Sequence, residues 1–271
     1  MDLFRVTRNQ GSDGDMCHAR GNLPMDGDRD HGEKETVGRV LHGSSTEDTR
    51  MVKVAVCFAG LPRLIPTCME RWSHFISDTN ADVFVHTWMP PDVGRELLSR
   101  QMCEMLSPTQ LSIEEPRMFT TAMFVDRIWA YRSDPRNVLS MWYSIKRSLD
   151  LCMDWQDAVG EDYDLICRAR FDWWCDHIDL EMNDGLTVPN DPGLSGHHFT
   201  YQGRPYVGHN DQFGYGNRSV MEEYSKTFDR IPWLYSDDGV DFCSELFLTS
   251  NMISQRIPVA FQMDMNYRIV K

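Results

Sequence analysis

The chain has 271 residues, which is long enough for one large domain or two small ones. Its formal net charge of −14 argues against nucleic acid and against an anionic membrane surface as partners. No apolar run approaches the roughly 18 residues that a membrane span requires. With 41% hydrophobic and 11% aromatic residues, the chain can bury a sizeable core.

Residues 1–50 are predicted to be a disordered or poorly ordered tail, because runs such as GSDGDMCHARGNLPMDGDRDHGEKE have neither helical nor strand periodicity. The tail also lacks the apolar segment of a signal peptide and is too acidic for a transit peptide. We therefore expect a single folded domain over residues 51–271. The eight cysteines include no CxxC pair, which favours reduced thiols and a cytoplasmic protein.

The folded part begins with strand and helix patterns in alternation. Residues 52–59 (VKVAVCFA) form a short apolar run typical of a buried parallel strand. Residues 62–77 repeat apolar side chains every three or four positions, which predicts a helix, and residues 81–88 (ADVFVHTW) predict a second strand. These three segments make a βαβ unit, which indicates a parallel sheet.

The rest of the chain continues this pattern, with one long exception. Residues 173–217 are rich in Gly, Pro, Asn and aromatic residues with little periodicity, which predicts a long, ordered binding loop. The sequence as a whole predicts a Rossmann-type α/β domain with a mixed, mostly parallel sheet flanked by helices. The further predicted elements are helices over 95–106, 133–155, 219–228 and 239–254 and strands over 110–114, 163–172 and 257–262.

The strand Tyr163–Asp172, with the sequence YDLICRARFD, carries the strongest functional signal. One of its faces is apolar, while Arg168, Arg170 and Asp172 share the other. Buried charges need partners, and ligands of open α/β sheets lie beyond the C-terminal ends of the strands. We therefore predict that the two arginines face an anionic diphosphate and that Asp172 binds a divalent metal, Mn²⁺ or Mg²⁺. The alternative is a buried ion pair between Arg170 and Asp172.

Two further candidates lie near the ends of the first two strands. Gly60 and Arg63 stand between the first strand and the first helix, where α/β domains bind phosphate, although a plain surface turn explains them equally well. His86 lies near the end of the second strand and shares a face with Trp88. It either contacts the ligand or is a hydrogen-bonded core histidine.

Three candidates follow the arginine-bearing strand. Trp174 could stack on a base or a sugar ring, with core packing as the alternative. Asp211, in the segment HNDQ, could bind acceptor hydroxyls, ligate a metal or act as a base, or it could serve only a local turn. Glu245 lies on a predicted helix and is the second candidate for a general base.

Taken in order, six segments resemble a group of GT-A-like glycosyltransferases that occur in giant DNA viruses and in bacterial capsule or lipopolysaccharide gene clusters. The resemblance covers about residues 52–250 and implies a UDP- or GDP-sugar donor, a divalent metal and a glycan or glycoconjugate acceptor. The segments are VAVCFAGLPRL, ADVFVHTW, SMWYSIKRSL, YDLICRARFD, HNDQFGYGNRSVMEEY and SELFL.

The resemblance also implies roles for particular residues. Gly60 and Arg63 would line the donor site, Asp172 would take the place of the metal-binding aspartate of a D-x-D motif, and Asp211 would lie in the acceptor region. Glu245 would match the glutamate of a C-terminal helix. The chain departs from the family in having Trp at position 174, where D-x-D has an acid, and Leu at position 61, where Gln is usual.

The residues and the resemblance together predict a glycosyltransferase that uses a nucleotide sugar. Two alternatives stay open at this stage. A nucleotide-sugar hydrolase or phosphotransferase would use the same diphosphate site with a different acceptor. A non-catalytic glycan- or nucleotide-sugar-binding protein is favoured by the missing acid at position 174.

Overall fold

The computed structural model describes residues 6–8, 52–124, 134–190, 198–201, 204–262 and 267–270. Of the predicted tail, residues 6–8 form a short strand, and the other residues lie outside the described part. The disorder predicted for the tail therefore stays a prediction. None of the helices in the described ranges combines the length and the apolar composition that a membrane crossing needs.

Helices and strands alternate through the first half of the domain, and short strands dominate its middle. The α-helices are α1 Pro66–Thr79, α2 Arg95–Leu106, α3 Pro135–Val159, α4 Arg218–Ser225, α5 Thr227–Ser236 and α6 Ser244–Ser254, with a 3₁₀ turn at Ala122–Phe124. The strands are β1 Val6–Arg8, β2 Val54–Gly60, β3 Asp82–Trp88, β4 Gln110–Glu114, β5 Leu165–Ala169, β6 Trp173–Cys175, β7 Leu180–Met182, β8 Leu186–Pro189, β9 His198–Tyr201, β10 Arg204–Val207, β11 Phe213–Gly216, β12 Val259–Gln262 and β13 Tyr267–Ile269.

Seven of these strands form the central sheet, in the order β12-β8-β11-β5-β2-β3-β4. Strands β5, β2, β3 and β4 are parallel neighbours, and β12 is parallel to β8. Only β11 runs antiparallel to its neighbours, β5 and β8. The predicted α/β class with a mixed, mostly parallel sheet is confirmed.

Helices cover both faces of this sheet, so its central strands are buried on two sides. On one face Ala55 and Cys57 of β2 belong to the same buried cluster as Trp142 of α3. On the other face Val54 and Val56 share a cluster with residues of α1 and α2. In β5 Leu165, Cys167 and Ala169 point towards the α1 side, and Ile166 lies on the α3 side, where the alternation also places Arg168.

Two helix starts differ in an instructive way. Helix α1 begins at Pro66, four residues later than predicted, because the amides of residues 63–65 donate to carbonyls two residues back in a series of tight turns. Helix α3 begins at Pro135, and the side chain of Asp134 caps it by accepting a hydrogen bond from the amide of Arg136.

The long loop predicted over residues 173–217 is wrong, because that segment contains the six short strands from β6 to β11. Each has only three or four residues, too few to show a period of two in the sequence. The helix predicted over 219–228 is two helices, α4 and α5. Helix α5 contains Pro232, a residue that argues against a helix when only the sequence is considered.

Candidate functional site

A pocket of about 400 Å³ opens at the C-terminal ends of the parallel strands. This is the edge at which parallel α/β sheets bind ligands, and the volume falls within the range of small-molecule sites. The walls come from the ends of β2, β3 and β5, from the residues after β2 and β4, and from the first turns of α3. The lining residues are Ala59, Gly60, Leu61, Arg63, Trp88, Pro116, Asn137, Ser140, Met141, Arg168, Arg170, Phe171 and Asp172.

The pocket is locally positive in a protein that is negative as a whole. Its lining contains three arginines, Arg63, Arg168 and Arg170, and one carboxylate, Asp172. The whole chain carries a net charge of −14. A cation cluster in a concave site focuses positive potential there, so the pocket is electrostatically complementary to an anion.

Arg168 is a fully buried arginine whose guanidinium group makes no hydrogen bond to the described residues. It lies in the middle of the sheet, where its Cα pairs with Cys57 of β2 and Gly214 of β11, and its side chain has no solvent-accessible surface. Its Nε, Nη1 and Nη2 make no hydrogen bond to any described residue. Burial lowers the pKa of Arg168, with partial compensation from nearby groups that include Tyr224 and Asp211. A buried guanidinium without partners is costly, so it points to an anion that the pocket receives.

Asp172 lies at the mouth of the β5 end and is bound by the other two arginines. Arg170 donates from Nε to Oδ1 at 2.8 Å and from Nη2 to Oδ2 at 2.9 Å, and Arg63 donates from Nη1 to Oδ2 at 2.7 Å. Burial opposes ionisation of Asp172, but the two guanidinium groups outweigh it and hold the pKa below its ordinary value. The ion pair that the sequence left open as an alternative is therefore present.

A divalent cation at Asp172 does not fit these residues. Both carboxylate oxygens already accept from guanidinium groups, and the neighbouring charges in the pocket lining are positive. The described residues contain no group of three or more His, Cys, Asp or Glu that could hold a metal without help from a ligand. The metal predicted at Asp172 stays a prediction.

The loop after β2 contributes its shape and the Arg63 side chain to the pocket. Gly60 has a φ of +115°, a backbone conformation that favours glycine. Its amide donates to Ser144 Oγ at 2.8 Å, and its carbonyl accepts from Thr87 Oγ1 at 2.9 Å. Because these groups already have partners, the Gly60 backbone is not a free phosphate cradle.

His86 lies in a buried polar network behind the pocket rather than in the lining. Its Nδ1 is 2.8 Å from Ser144 Oγ, and its Nε2 is 3.4 Å from Glu114 Oε1. Glu114 also accepts from Tyr143 and Arg147. We call these five residues the His86 network. Burial lowers the pKa of His86 to about 4, against the opposing charge of Glu114, so the ring is neutral at pH 7 and the core role fits it.

Trp88 is a pocket residue that the sequence analysis missed. It stacks on Tyr143, with ring centroids 5.5 Å apart and planes at 24°. Its Nε1 is buried and has no hydrogen-bond partner among the described residues. The sequence pattern could have identified Trp88 as a pocket residue, because Trp88 shares a strand face with His86 and lies closer to the C-terminal end of the strand.

The remaining predicted residues lie outside the lining. Trp174 lies in β6 between two guanidinium groups, that of Arg268 at 4.5 Å and that of Arg71 at 5.7 Å from the ring centroid. Asp211 is buried, accepts a hydrogen bond from the hydroxyl of Ser244 at the start of α6, and lies near enough to raise the pKa of Arg168 and Arg170.

Glu245 also lies outside the lining, in the first turn of α6. Its Oε2 accepts from Cys243 Sγ at 2.9 Å. Of the two predicted bases, Asp211 is therefore the one whose charge acts on the arginines of the pocket.

No protein-family model matches the chain, and no curated protein matches it. The resemblance to GT-A-like glycosyltransferases therefore stays an expectation based on short motifs. A fold of this class hosts many unrelated activities, so function is inferred here from the residue chemistry of the pocket.

Proposed function

We propose that the pocket binds the diphosphate of a nucleotide sugar and that the protein is a glycosyltransferase acting on a glycan or glycoconjugate. The observation that carries the proposal is the buried guanidinium of Arg168, which is without a partner among the described residues and lies in the pocket wall beside Arg63 and Arg170. Guanidinium groups bind phosphate oxygens through paired N–H donors, and they stay charged when buried.

The two ends of the pocket fit the two parts of such a donor. The arginines lie at the end of β5, and Trp88 lies at the end of β3, two strands away across β2. Two strand spacings are about 10 Å. Trp88, Met141 and Pro116 supply aromatic and apolar surface at the second end, which suits a base or a sugar ring.

In the proposed reaction the acceptor hydroxyl displaces the nucleoside diphosphate at the anomeric carbon of the sugar. The bond between the anomeric carbon and the diphosphate oxygen breaks, and its electron pair leaves with the nucleoside diphosphate. The acceptor hydroxyl oxygen forms the new bond to the anomeric carbon, and its proton passes to a carboxylate, for which Asp211 and Glu245 are the two candidates. The arginines stabilise the negative charge that develops on the leaving group.

We also propose a cytoplasmic location, and the cysteines support it. Six cysteines in the described ranges are free thiols, and five of them are buried: Cys57, Cys68, Cys152, Cys167 and Cys175, with Cys103 exposed. Buried free cysteines behave as small apolar residues, as is common where the compartment is reducing.

The test is to incubate the protein with UDP-, GDP-, CDP- and TDP-sugars, with and without a panel of sugar acceptors, and to measure both glycosylated product and released nucleoside diphosphate. We expect product that requires the acceptor and is lost in Arg168→Met. The control is Arg100→Met, because Arg100 is an exposed residue of α2 outside the pocket.

The other outcomes separate the alternatives. Donor cleavage that needs only water would indicate a hydrolase. Donor binding without turnover would indicate a binding protein. If no donor binds at all, the assignment of the pocket is wrong.

A further inference from the structure

We infer that Asp172 is the counter-ion of the diphosphate site, holding Arg63 and Arg170 in the free protein, and that three arginines bind the diphosphate without a divalent cation. This inference rests on the proposed function, since it takes a nucleoside diphosphate as the ligand. It assigns Asp172 a role opposite to that of a metal ligand, and the two roles predict opposite effects of substitution.

The geometry of Asp172 is that of a carboxylate occupying an anion site. Three N–O contacts of 2.7–2.9 Å join it to two guanidinium groups, and the contact with Arg170 is bidentate. Carboxylate and phosphate oxygens use the same forked N–H donors of arginine. An incoming phosphate group therefore competes with Asp172 for Arg63 and Arg170.

Arg168 supplies donors that no described residue occupies. All three of its guanidinium nitrogens lack hydrogen-bond partners among the described residues, and the side chain is fully buried in the pocket wall. Phosphate oxygens meet the half-exposed Arg63 side chain first and draw it away from Asp172, and they reach the buried guanidinium of Arg168 only after that displacement.

Charge balance within the pocket favours the same conclusion. The lining carries three positive charges and one negative charge, and a divalent cation would add repulsion in a site that already has three guanidinium groups. Replacing Asp172 by a neutral residue removes the one negative charge from the lining. Coulomb's law then predicts tighter binding of a diphosphate, whereas loss of a metal ligand predicts weaker binding.

The experiment is calorimetric titration of the full chain with UDP, GDP, CDP and TDP separately, each in EDTA and in Mn²⁺. We expect at least one of them to bind in EDTA, with a Kd that Mn²⁺ changes by less than about threefold. Asp172→Asn should bind the same nucleotide in EDTA about tenfold more tightly. Binding that requires Mn²⁺ and is lost in Asp172→Asn overturns the inference and leaves the proposed function standing.

Absence of binding by UDP, GDP, CDP and TDP under both conditions defeats the proposed function itself, so the two failures are distinguishable. Arg63→Met is a second variant that tests the inference if Asp172→Asn does not fold. The Arg63 side chain is half exposed, so the substitution should not disrupt the fold. Our inference predicts about tenfold weaker binding by Arg63→Met in EDTA. If Asp172 instead binds a metal, Arg63→Met should bind the nucleotide in Mn²⁺ equally or more tightly, because Arg63 no longer competes with the metal for Asp172. The control Arg100→Met should match the native protein in every titration.

Discussion

The His86 network and Arg168 lie on opposite sides of β2, and they differ in how many polar contacts they make within the protein, although His86 Nε2 makes only the 3.4 Å contact with Glu114. In the His86 network, Ser144, Glu114, Tyr143 and Arg147 all contact one another or His86. Arg168, on the neighbouring side of β2, makes no hydrogen bond with the described residues. Buried polar groups that are paired within the protein stabilise the fold, and under the proposed function the unpaired guanidinium of Arg168 is the group that the ligand pairs.

The largest effect should come from Arg168→Met, which tests the unpaired side of this comparison. We expect nucleoside diphosphate affinity to fall by about 100-fold, because two or more charge-assisted hydrogen bonds are lost. The free energy of unfolding should rise by about 1–3 kcal/mol, since an apolar side chain replaces a buried charge without partners. Calorimetric titration and urea unfolding measure the two quantities, and a loss of stability with unchanged affinity would make Arg168 a structural residue.

Glu114→Gln tests the His86 network, whose polar groups contact one another. We expect the free energy of unfolding to fall by about 2–3 kcal/mol, because the substitution removes the charge that Tyr143, Arg147 and Arg117 contact. The affinity for the nucleotide should stay within about twofold, since Glu114 does not line the pocket. A large loss of affinity with unchanged stability would show that the His86 network contributes to ligand binding rather than to the stability of the fold.

The pH dependence of the free energy of unfolding tests the role of His86 in this network. Burial lowers the folded-state pKa of this residue to about 4, below its ordinary value of about 6.5, so the unfolded chain binds more protons between these values. Stability is therefore fully present above pH 6.5 and is lost as the pH falls towards 4.

His86→Gln should remove this contribution, about 1–2 kcal/mol between pH 6.5 and pH 5. Urea unfolding at a series of pH values in both proteins measures the difference. His209, whose pKa burial also lowers to about 4, is present in both proteins and keeps its own share of the slope. Identical slopes in the two proteins would show that His86 titrates normally.

Trp88→Phe should have the smallest effect and tests the aromatic end of the pocket. The indole N–H has no partner among the described residues, so its removal costs no hydrogen bond in the free protein. We expect about threefold weaker binding of the nucleotide sugar, through loss of a donor and of aromatic contact. Unchanged affinity for both the nucleotide sugar and the nucleoside diphosphate would exclude Trp88 from ligand contact.

Local patterns in the sequence predict the parts of the fold that depend on periodicity. The bounds of α2 and β4 are as predicted, and the alternation in β5 places Leu165, Cys167 and Ala169 on the face opposite to Arg168. The position of the pocket follows from the same reasoning, because parallel strands end at one edge. Five of the predicted binding residues, Gly60, Arg63, Arg168, Arg170 and Asp172, line it.

Contacts between distant parts of the chain account for the rest. The ion pair of Asp172 with Arg63 joins residues 109 positions apart, and no periodicity records such a pairing. The separation of His86 from the lining depends on Ser144 of α3, which reaches across β2 and β3. The short strands β6–β11 were missed because sheet pairing, rather than local preference, determines them.

Thermal melting of the native protein and of Arg168→Met, each with and without UDP, GDP, CDP or TDP in EDTA, tests the assignment of the pocket most directly. We predict that one nucleotide stabilises the native protein, by about 2.7 kcal/mol at a hundredfold excess over its Kd. Arg168→Met should melt at a higher temperature than the native protein and show no ligand shift. A lower melting temperature for Arg168→Met together with an undiminished ligand shift would contradict the account.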